Sequence, residues 1–340
     1  MKNKSIILLL LFIFSCLSVS AQQKVLPKQG EGVDAFLIRN KRSPKQYKAA
    51  FIQINKAKLG KNNSLLSGVK YELPPVKSGA ASSKKSTQKK VAIGTPFNEP
   101  LFGKALAKGK VKSNRLAGAC FYLVSGHGGP DPGAIGKCNG HELHEDEYAY
   151  DIVLRLARLL KEEGATVRIL IQDSKDGIRD GAYLSNSKRE TCMGSEIPLN
   201  QVQRLRQRCD KINRMFVDDK KNFSYCRSIF VHVDSRSKRK QTDVFFYHSK
   251  GSSRSKELAM NMRNIFEEKY EKHQPDRGFK GTVSERNLFV LRKSNPVAVF
   301  VELGNIQNSF DQRRFVMSSN RQALAKWIMQ GFIRDFNQHK

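Results

Sequence analysis

Ala119-Cys120-Phe121-Tyr122-Leu123-Val124 runs without a charge into Ser125-Gly126-His127-Gly128-Gly129-Pro130-Asp131-Pro132-Gly133-Ala134-Ile135-Gly136. The first six residues read as a fully buried strand. The glycines behind them let the backbone swing His127 off the strand end into a cleft. Outward from this stretch, strands alternate with helices. Residues 145–163 place Tyr148, Ile152, Leu156 and Leu159 on one helical face and stop at Gly164. Residues 166–171, 228–233, 243–247 and 297–302 read as strands, and 199–217, 253–270 and 313–336 as helices. Such alternation predicts an α/β domain over 116–340: three layers, with a twisted, mostly parallel sheet flanked by helices.

The whole chain has 340 residues and a formal charge of +30, with 39% hydrophobic residues. That is length for one full domain and a smaller one. Only one long apolar run exists, at the extreme N-terminus, which excludes a polytopic membrane protein. Lys2 and Lys4, the apolar stretch 6–14 and the small residues Val19-Ser20-Ala21 read as a cleaved export signal over 1–21. The expected location is therefore periplasmic or cell-envelope associated. Export shifts the anionic partners of so basic a chain from nucleic acid towards envelope polymers. Cys120, Cys138, Cys192, Cys209 and Cys226 form no C-x-x-C pair, so a zinc knuckle is not expected, whereas two disulfides and one free thiol are open to an exported chain.

Charge divides the sequence further. Residues 22–115 hold 21 Lys and Arg against four acids, a local +17. Within them, 24–75 read as a small folding unit. Gly30-Glu31-Gly32 turns, 33–38 form a short helix, and Ser43-Pro44 opens a second helix carrying Tyr47, Ala50, Phe51 and Ile54. Asn55 closes that helix, and Leu65, Leu66 and Gly68 lead to an alternating strand over 69–73, stopped by Pro74-Pro75. This order resembles a LysM module, the small α+β fold that recognises N-acetylglucosamine polymers. Residues 76–92 are rich in Ser, Ala and Lys and read as a flexible linker, and the basic stretch continues to 115.

In open α/β sheets, ligands gather beyond the carboxyl ends of strands. His127, His232 and Glu302 stand at three such ends. A carboxylate closing the apolar strand Val297-Ala298-Val299-Phe300-Val301 is costly to bury without a partner, which a metal or catalytic role explains. Singly, each has an ordinary reading: a hydrogen-bonded strand-end histidine, or a helix-opening carboxylate favoured by the helix dipole.

Together, however, GHGGPDPGAIG, a helix opening with Glu145, a strand ending in His232, and PVAVFVELG followed by Asn308 resemble the zinc-dependent N-acetylmuramoyl-L-alanine amidases of the amidase-3 family. Leu205, Arg208 and Asn213 resemble that family's L-x-x-R-x-x-x-x-N helix, and Asn287-Leu288-Phe289-Val290-Leu291-Arg292 its segment before the last core strand. The resemblance implies Zn2+ held by His127, Glu145 and His232, with Glu302 as the catalytic carboxylate. It implies hydrolysis of the amide between the muramic acid lactyl group and L-alanine in peptidoglycan. Two imidazoles and one carboxylate leave a fourth position for water, as in catalytic zinc sites.

Glu142 and Glu147 lie close to Glu145; counting back from Gly164 through an unbroken helix favours Glu145, with Glu142 the runner-up. His141 and His144 read as exposed loop histidines, Asp131 as an acceptor bracing its loop, and Asp234 as either an orienting or a turn residue. Ser125 departs from the Asp that commonly precedes the family's Gly-His. Residues 173–200 exceed the usual connection and read as a lid, a docking loop, an autoinhibitory insert or an inert loop.

The implied partners are peptidoglycan and, as a further candidate, a protein activator. Neither nucleic acid nor a membrane span after signal cleavage is expected. A non-catalytic wall-binding protein and a zinc hydrolase of another amide are the competing readings. A serine α/β-hydrolase is disfavoured, since no G-x-S-x-G occurs.

Overall fold

The computed structural model describes residues 24–40, 42–75, 91–235, 241 and 243–339. The expected signal and nearly all of the 76–92 linker lie outside the described residues. Two compact units divide the chain, Met1–Lys85 and Ser86–Lys340.

In the first unit, β1 (Lys24–Val25), α1 (Val33–Arg39), α2 (Pro44–Ile54) and β2 (Tyr71–Glu72) follow in order, and β1 pairs antiparallel with β2. Pro44 occupies the start of α2, where its missing N–H costs nothing. Phe36, Leu37, Phe51, Tyr71 and Leu73 form the core. Asn55 closes α2 and also splices the helix to the sheet: its amide donates to the carbonyls of Phe51 (2.9 Å) and Glu72 (2.8 Å) and accepts from Glu72 N–H (2.8 Å). The strand expected over 69–73 shrinks to two residues because its partner β1 offers only two.

The second unit opens with β3 (Pro96–Asn98) and β4 (Lys108–Lys110), an antiparallel pair. There follow β5 (Ala119–Ser125), β6 (Ile135–Cys138), β7 (His141–His144), α3 (Glu145–Glu162), β8 (Thr166–Ile169), β9 (Ile171–Gln172), β10 (Thr191–Cys192), β11 (Ser195–Glu196) and α4 (Gln201–Asn222). Then come β12 (Tyr225–Asp234), β13 (Phe245–His248), α5 (Ser253–His273), β14 (Thr282–Glu285), α6 (Phe289–Lys293), β15 (Val297–Asn305), α7 (Ser309–Val316) and α8 (Ser318–Gln338). The central sheet has six strands in the order β14-β13-β15-β12-β5-β8. Every neighbouring pair is parallel except β13 with β15.

Period-2 alternation splits this sheet into two cores. Phe121, Leu123, Ile229, Val231, Val299 and Val301 pack on one face against α3, α5, α7 and α8. Tyr122, Val124, Phe230, Ala298 and Phe300 pack on the other against α4 and α6. This is the expected three-layer arrangement, and no described helix is long and apolar enough to cross a membrane.

Three expectations change. Residues 96–115, read from charge as part of the basic linker, belong to the second unit: Phe102 and Val111 are buried, and Phe102 joins the main core. Lysines at 104, 108, 110 and 112 mask this patterning in the composition. The last helix is two, α7 and α8, because Met317 adopts an extended ψ of 114° between them. All five described cysteines are free.

Candidate metal centre

The site lies where β5, β12 and β15 end. His127 follows β5 in a left-handed conformation, φ 57°, which a side chain other than glycine adopts only at a cost. Gly126 permits the approach of the neighbouring strand: a Cβ there would lie 2.4 Å from the His232 ring. Glu145 is the first residue of α3, and a Cβ on Gly133, at φ 70°, would come within 2.7 Å of its carboxylate.

His127, Glu145 and His232 are thereby brought together, one potential ligand atom from each lying within 4.8 Å of the others. His127 Nε2 stands 3.2 Å from Glu145 Oε2, and His232 Nδ1 2.9 Å from Glu145 Oε1. The carboxylate of Glu145 is buried and pinned: Oε1 accepts from Val233 N–H and Oε2 from Ala134 N–H, both at 2.9 Å. Glu142 is exposed on β7 and sits 3.3 Å from His144, away from this trio. His141 is exposed and stacks on Tyr183.

The carboxylates of Asp131 and Glu145 give the site a cation-favouring potential, answered by a proton on His127 or by a divalent cation in that proton's place. Burial works to raise the Glu145 carboxyl, but hydrogen bonds from both imidazoles overturn it and hold the group far below the usual carboxylate range. Burial also disfavours a charged His127, yet Asp131 and Glu145 outweigh it and lift the ring to about 10. In His232 burial wins, and the imidazole is held below its ordinary value. Two imidazoles and one ionised carboxylate facing one point are the donor set of a divalent cation with nitrogen and oxygen preferences, so the residues present fit zinc.

A supporting shell surrounds the trio. Asp131 braces its loop by accepting from Gly133 N–H at 3.1 Å, and it also faces His127 Nδ1 at 2.9 Å, leaving Nε2 turned towards Glu145. Arg204 of α4 holds the same carboxylate at 2.5 Å, while Arg208 donates to the backbone carbonyl of His127. Burial pulls the Arg208 guanidinium down to about 10. Asn213 ties α4 to the turn before β15 by accepting from Asn295 N–H and donating to the Lys293 carbonyl, each at 2.8 Å. Sequence reading located these α4 residues only as a pattern; their partners are more than 70 positions away and carry no local signal.

Ser125 is buried, and its hydroxyl has no hydrogen-bond partner among the described residues, so the orienting bond to His127 comes from Asp131. Asp234 accepts from Ser235 N–H at 2.8 Å, a turn contact. Asn308 caps α7 by accepting from Phe310 and Asp311 N–H.

Glu302 pairs in register with His232 across parallel strands, so the two side chains stand on the same face of the sheet. Phe300, two residues earlier, stacks on His232 with ring centroids 4.3 Å apart. A cavity of about 170 Å³ opens beside them, walled by both imidazoles, Arg204, Arg208, Phe289 and Phe300.

Residues 173–200 are fastened to this unit by buried polar groups. Arg179 N–H donates to Asp151 at 2.8 Å, and the Arg179 carbonyl accepts from Arg155 and Arg321, both at 2.7 Å. Glu190 accepts from Gly129 N–H at 2.9 Å and joins Asp146 and Glu147 in a second buried group, of carboxylates alone. Burial, with Glu147 and Glu190 as like-charged neighbours, pushes Asp146 up to about 8. So bound, the segment is a packed part of the unit, and none of its residues lines the cavity beside the imidazoles.

The family model described as N-acetylmuramoyl-L-alanine amidase matches residues 122–334. The germination-specific N-acetylmuramoyl-L-alanine amidase of Bacillus subtilis is 22% identical over 231 residues, covering 66% of this chain and 82% of that protein. A probable cell wall amidase of Staphylococcus epidermidis is 25% identical over 227 residues, covering 67% of this chain and 62% of that one. Among solved structures, an N-acetylmuramoyl-L-alanine amidase from Clostridium difficile 630 aligns with a TM-score of 0.48 at 20% identity, over 66% of this chain and 100% of that one. The CwlD amidase of Clostridioides difficile, solved in complex with the GerS lipoprotein, aligns with a TM-score of 0.47 at 18% identity, over 64% and 98%. With more than half of its length matched by the family model, and with the imidazoles and carboxylates at the strand ends inside that match, this chain belongs to the N-acetylmuramoyl-L-alanine amidase family, Amidase_3.

Proposed function

We propose that the second unit is a zinc-dependent peptidoglycan amidase in which His127, Glu145 and His232 hold the ion and Glu302 moves the proton. The convergence of the three donors on one point, with Glu145 fixed by two backbone N–H groups, carries this reading. Zinc, when bound, supplies a Lewis acid and acidifies water. Glu145 neutralises part of the ion's charge and stays ionised throughout. Asp131 fixes the ring of His127, and Phe300 fixes that of His232. Glu302, beside His232 at the strand end, takes a proton from water and passes it to the departing L-alanine nitrogen. Arg204 and Arg208 hold the His127 turn against the push of substrate.

Export, the LysM-like reading of residues 24–75 and a role in wall remodelling complete the proposal. A basic first unit that adheres to the wall would keep the hydrolytic unit near its substrate. A protein activator remains a candidate partner, and residues 173–200 are the segment to test for it. Metal analysis should find one zinc per chain, lost in His127→Ala. Digestion of purified sacculi, followed by mass spectrometry, should release peptides with a free N-terminal L-alanine. Glu302→Gln should slow that release by about 10²–10⁴-fold with zinc retained. Unchanged release by this variant removes Glu302 from the mechanism, and products cut at another amide move the protein to the competing hydrolase reading.

A further inference from the structure

On the opposite face of the sheet from the imidazoles, α5, α7 and α8 enclose a cleft of about 190 Å³. Three guanidinium groups line it, those of Arg277, Arg313 and Arg314, together with the rings of Tyr270, Phe310 and Trp327. The guanidinium of Arg277 lies 4.6 Å from the Tyr270 ring centroid and 5.4 Å from that of Phe310, and Arg313 lies 5.0 Å from Phe310. Asp243 accepts from both Arg277 and Arg314, and Asp311 stands 3.4 Å from Arg314. Two carboxylates thus answer three cations. Arg313 is exposed and forms no ion pair among the described residues, and Nη1 of Arg277 is buried without an acceptor. Arg277 and Arg314 are met by Asp243, so the cation left facing the cleft without a carboxylate among the described residues is Arg313.

The lining selects the anion. A guanidinium fork matches a carboxylate bidentately, and aromatic walls accept the methylene chain of the residue that carries it. The carboxamides of Gln274 and Asn320 at the rim suit peptide N–H and C=O groups. The volume is below the roughly 300–1,000 Å³ of sites that enclose whole drug-sized ligands, so one residue enters and not a polymer segment. We propose that this cleft is a second binding site, separate from the metal centre, for the carboxylate end of a short acidic peptide of the wall-stem class. The choice of that class rests on the amidase reading; the cleft's preference for a carboxylate does not. Arg314, which also donates to the Leu303 carbonyl next to Glu302, joins the cleft floor to the strand that carries the catalytic carboxylate.

Trp327 is the only tryptophan in the chain, so its emission reports the cleft directly. The full chain is titrated with the tripeptide L-Ala-γ-D-Glu-meso-diaminopimelate and, separately, with inorganic phosphate. The expected result is a saturable change in emission with the tripeptide, weakened about tenfold or more in Arg313→Glu and restored in part by Arg313→Lys. The same titration should be unchanged in His127→Ala, which places the event outside the metal centre. No saturable change, a change indifferent to Arg313→Glu, or phosphate saturating at equal or lower concentration than the tripeptide each overturns the proposal. Peptide release from sacculi is measured alongside. Failure of that release with an intact titration defeats the amidase reading and leaves the cleft standing; the converse defeats only the cleft.

Discussion

The two units are held together by different means. In the first, Phe36, Phe51 and Tyr71 form a triangle of rings with centroids 5.5–6.1 Å apart, and every charged side chain lies outside that core. The second unit buries charge extensively: Asp151 with Arg155 and Arg321, and Asp335 with Arg227. The contrast follows size. A chain of about 50 residues buries too small a share of its surface to desolvate ions, whereas a six-stranded sheet covered on both faces can enclose them if each is paired. The hydrolytic centre proposed for the second unit needs carboxylates and imidazoles out of bulk water, which only the larger unit can supply.

The sharpest way to break that comparison is Arg321→Ala. Arg321 is fully buried, its Nε lies 2.6 Å from Asp151 and its Nη2 donates to the Arg179 and Gly181 carbonyls, so its removal leaves Asp151 with Arg155 as its one remaining cation and takes a donor from two backbone carbonyls. The expected loss is about 3–5 kcal/mol in urea unfolding of the second unit. A loss under about 1 kcal/mol would mean that Asp151 is satisfied by Arg155 and the Arg179 N–H alone, and that buried charge is not what fastens residues 173–200. The corresponding lesion in the first unit is Leu37→Ala, expected to cost about 2–3 kcal/mol, at the low end for such a change because a thin core can partly collapse. Hydrogen exchange over residues 24–75 should accelerate while peptide release from soluble wall fragments stays unchanged. A fall in release would show that the units are energetically coupled.

A smaller effect is expected at α4. Asn200 caps it by accepting from Gln203 N–H at 3.1 Å, and Asn200→Ala should cost about 1 kcal/mol. Since α4 presents Arg204 and Arg208 to the His127 turn, zinc retention under dilute chelator is the second readout. Unchanged retention would show that these arginines are positioned by their own partners more than by the helix start.

Legibility in the sequence follows the range of the interactions. Apolar runs and helical periodicity are local, so the strands of the central sheet and the helix opening at Glu145 could be read directly. The order of blocks from Gly126 to Asn308, through its resemblance to the amidase family, singles out His127, Glu145, His232 and Glu302, and the structure brings the first three together. What stayed hidden depends on contacts between distant positions. The lysines of 96–115 conceal Phe102 and Val111, whose burial is decided by residues distant in sequence. Asp131 looked like a loop brace because nothing nearby in sequence announces Arg204, 73 positions away. The cleft of Arg277, Arg313 and Trp327 joins three helices and has no motif at all.

The smallest expected effect concerns the first unit and pH. Arg39 grips Glu31 with two hydrogen bonds, Nε to Oε1 at 2.6 Å and Nη2 to Oε2 at 2.7 Å, and also donates to the Leu26 carbonyl at 2.9 Å. This clip fastens the turn before α1. The Arg39 hydrogen bond is the main cause that lowers the Glu31 carboxyl from its ordinary 4.5 to about 2. A carboxyl depressed in the folded state leaves the unfolded chain holding more protons at acid pH, so its contribution is complete above about 4.5 and disappears as pH falls towards 2. The melting midpoint of the first unit should therefore decline over that window, and Glu31→Gln should flatten the decline. Arg39 is exposed and the pair sits at the surface of the unit, so high salt should shrink the difference between the two profiles. Identical profiles in low salt would mean that the turn is held by its backbone and that this ion pair contributes nothing to the stability of the first unit.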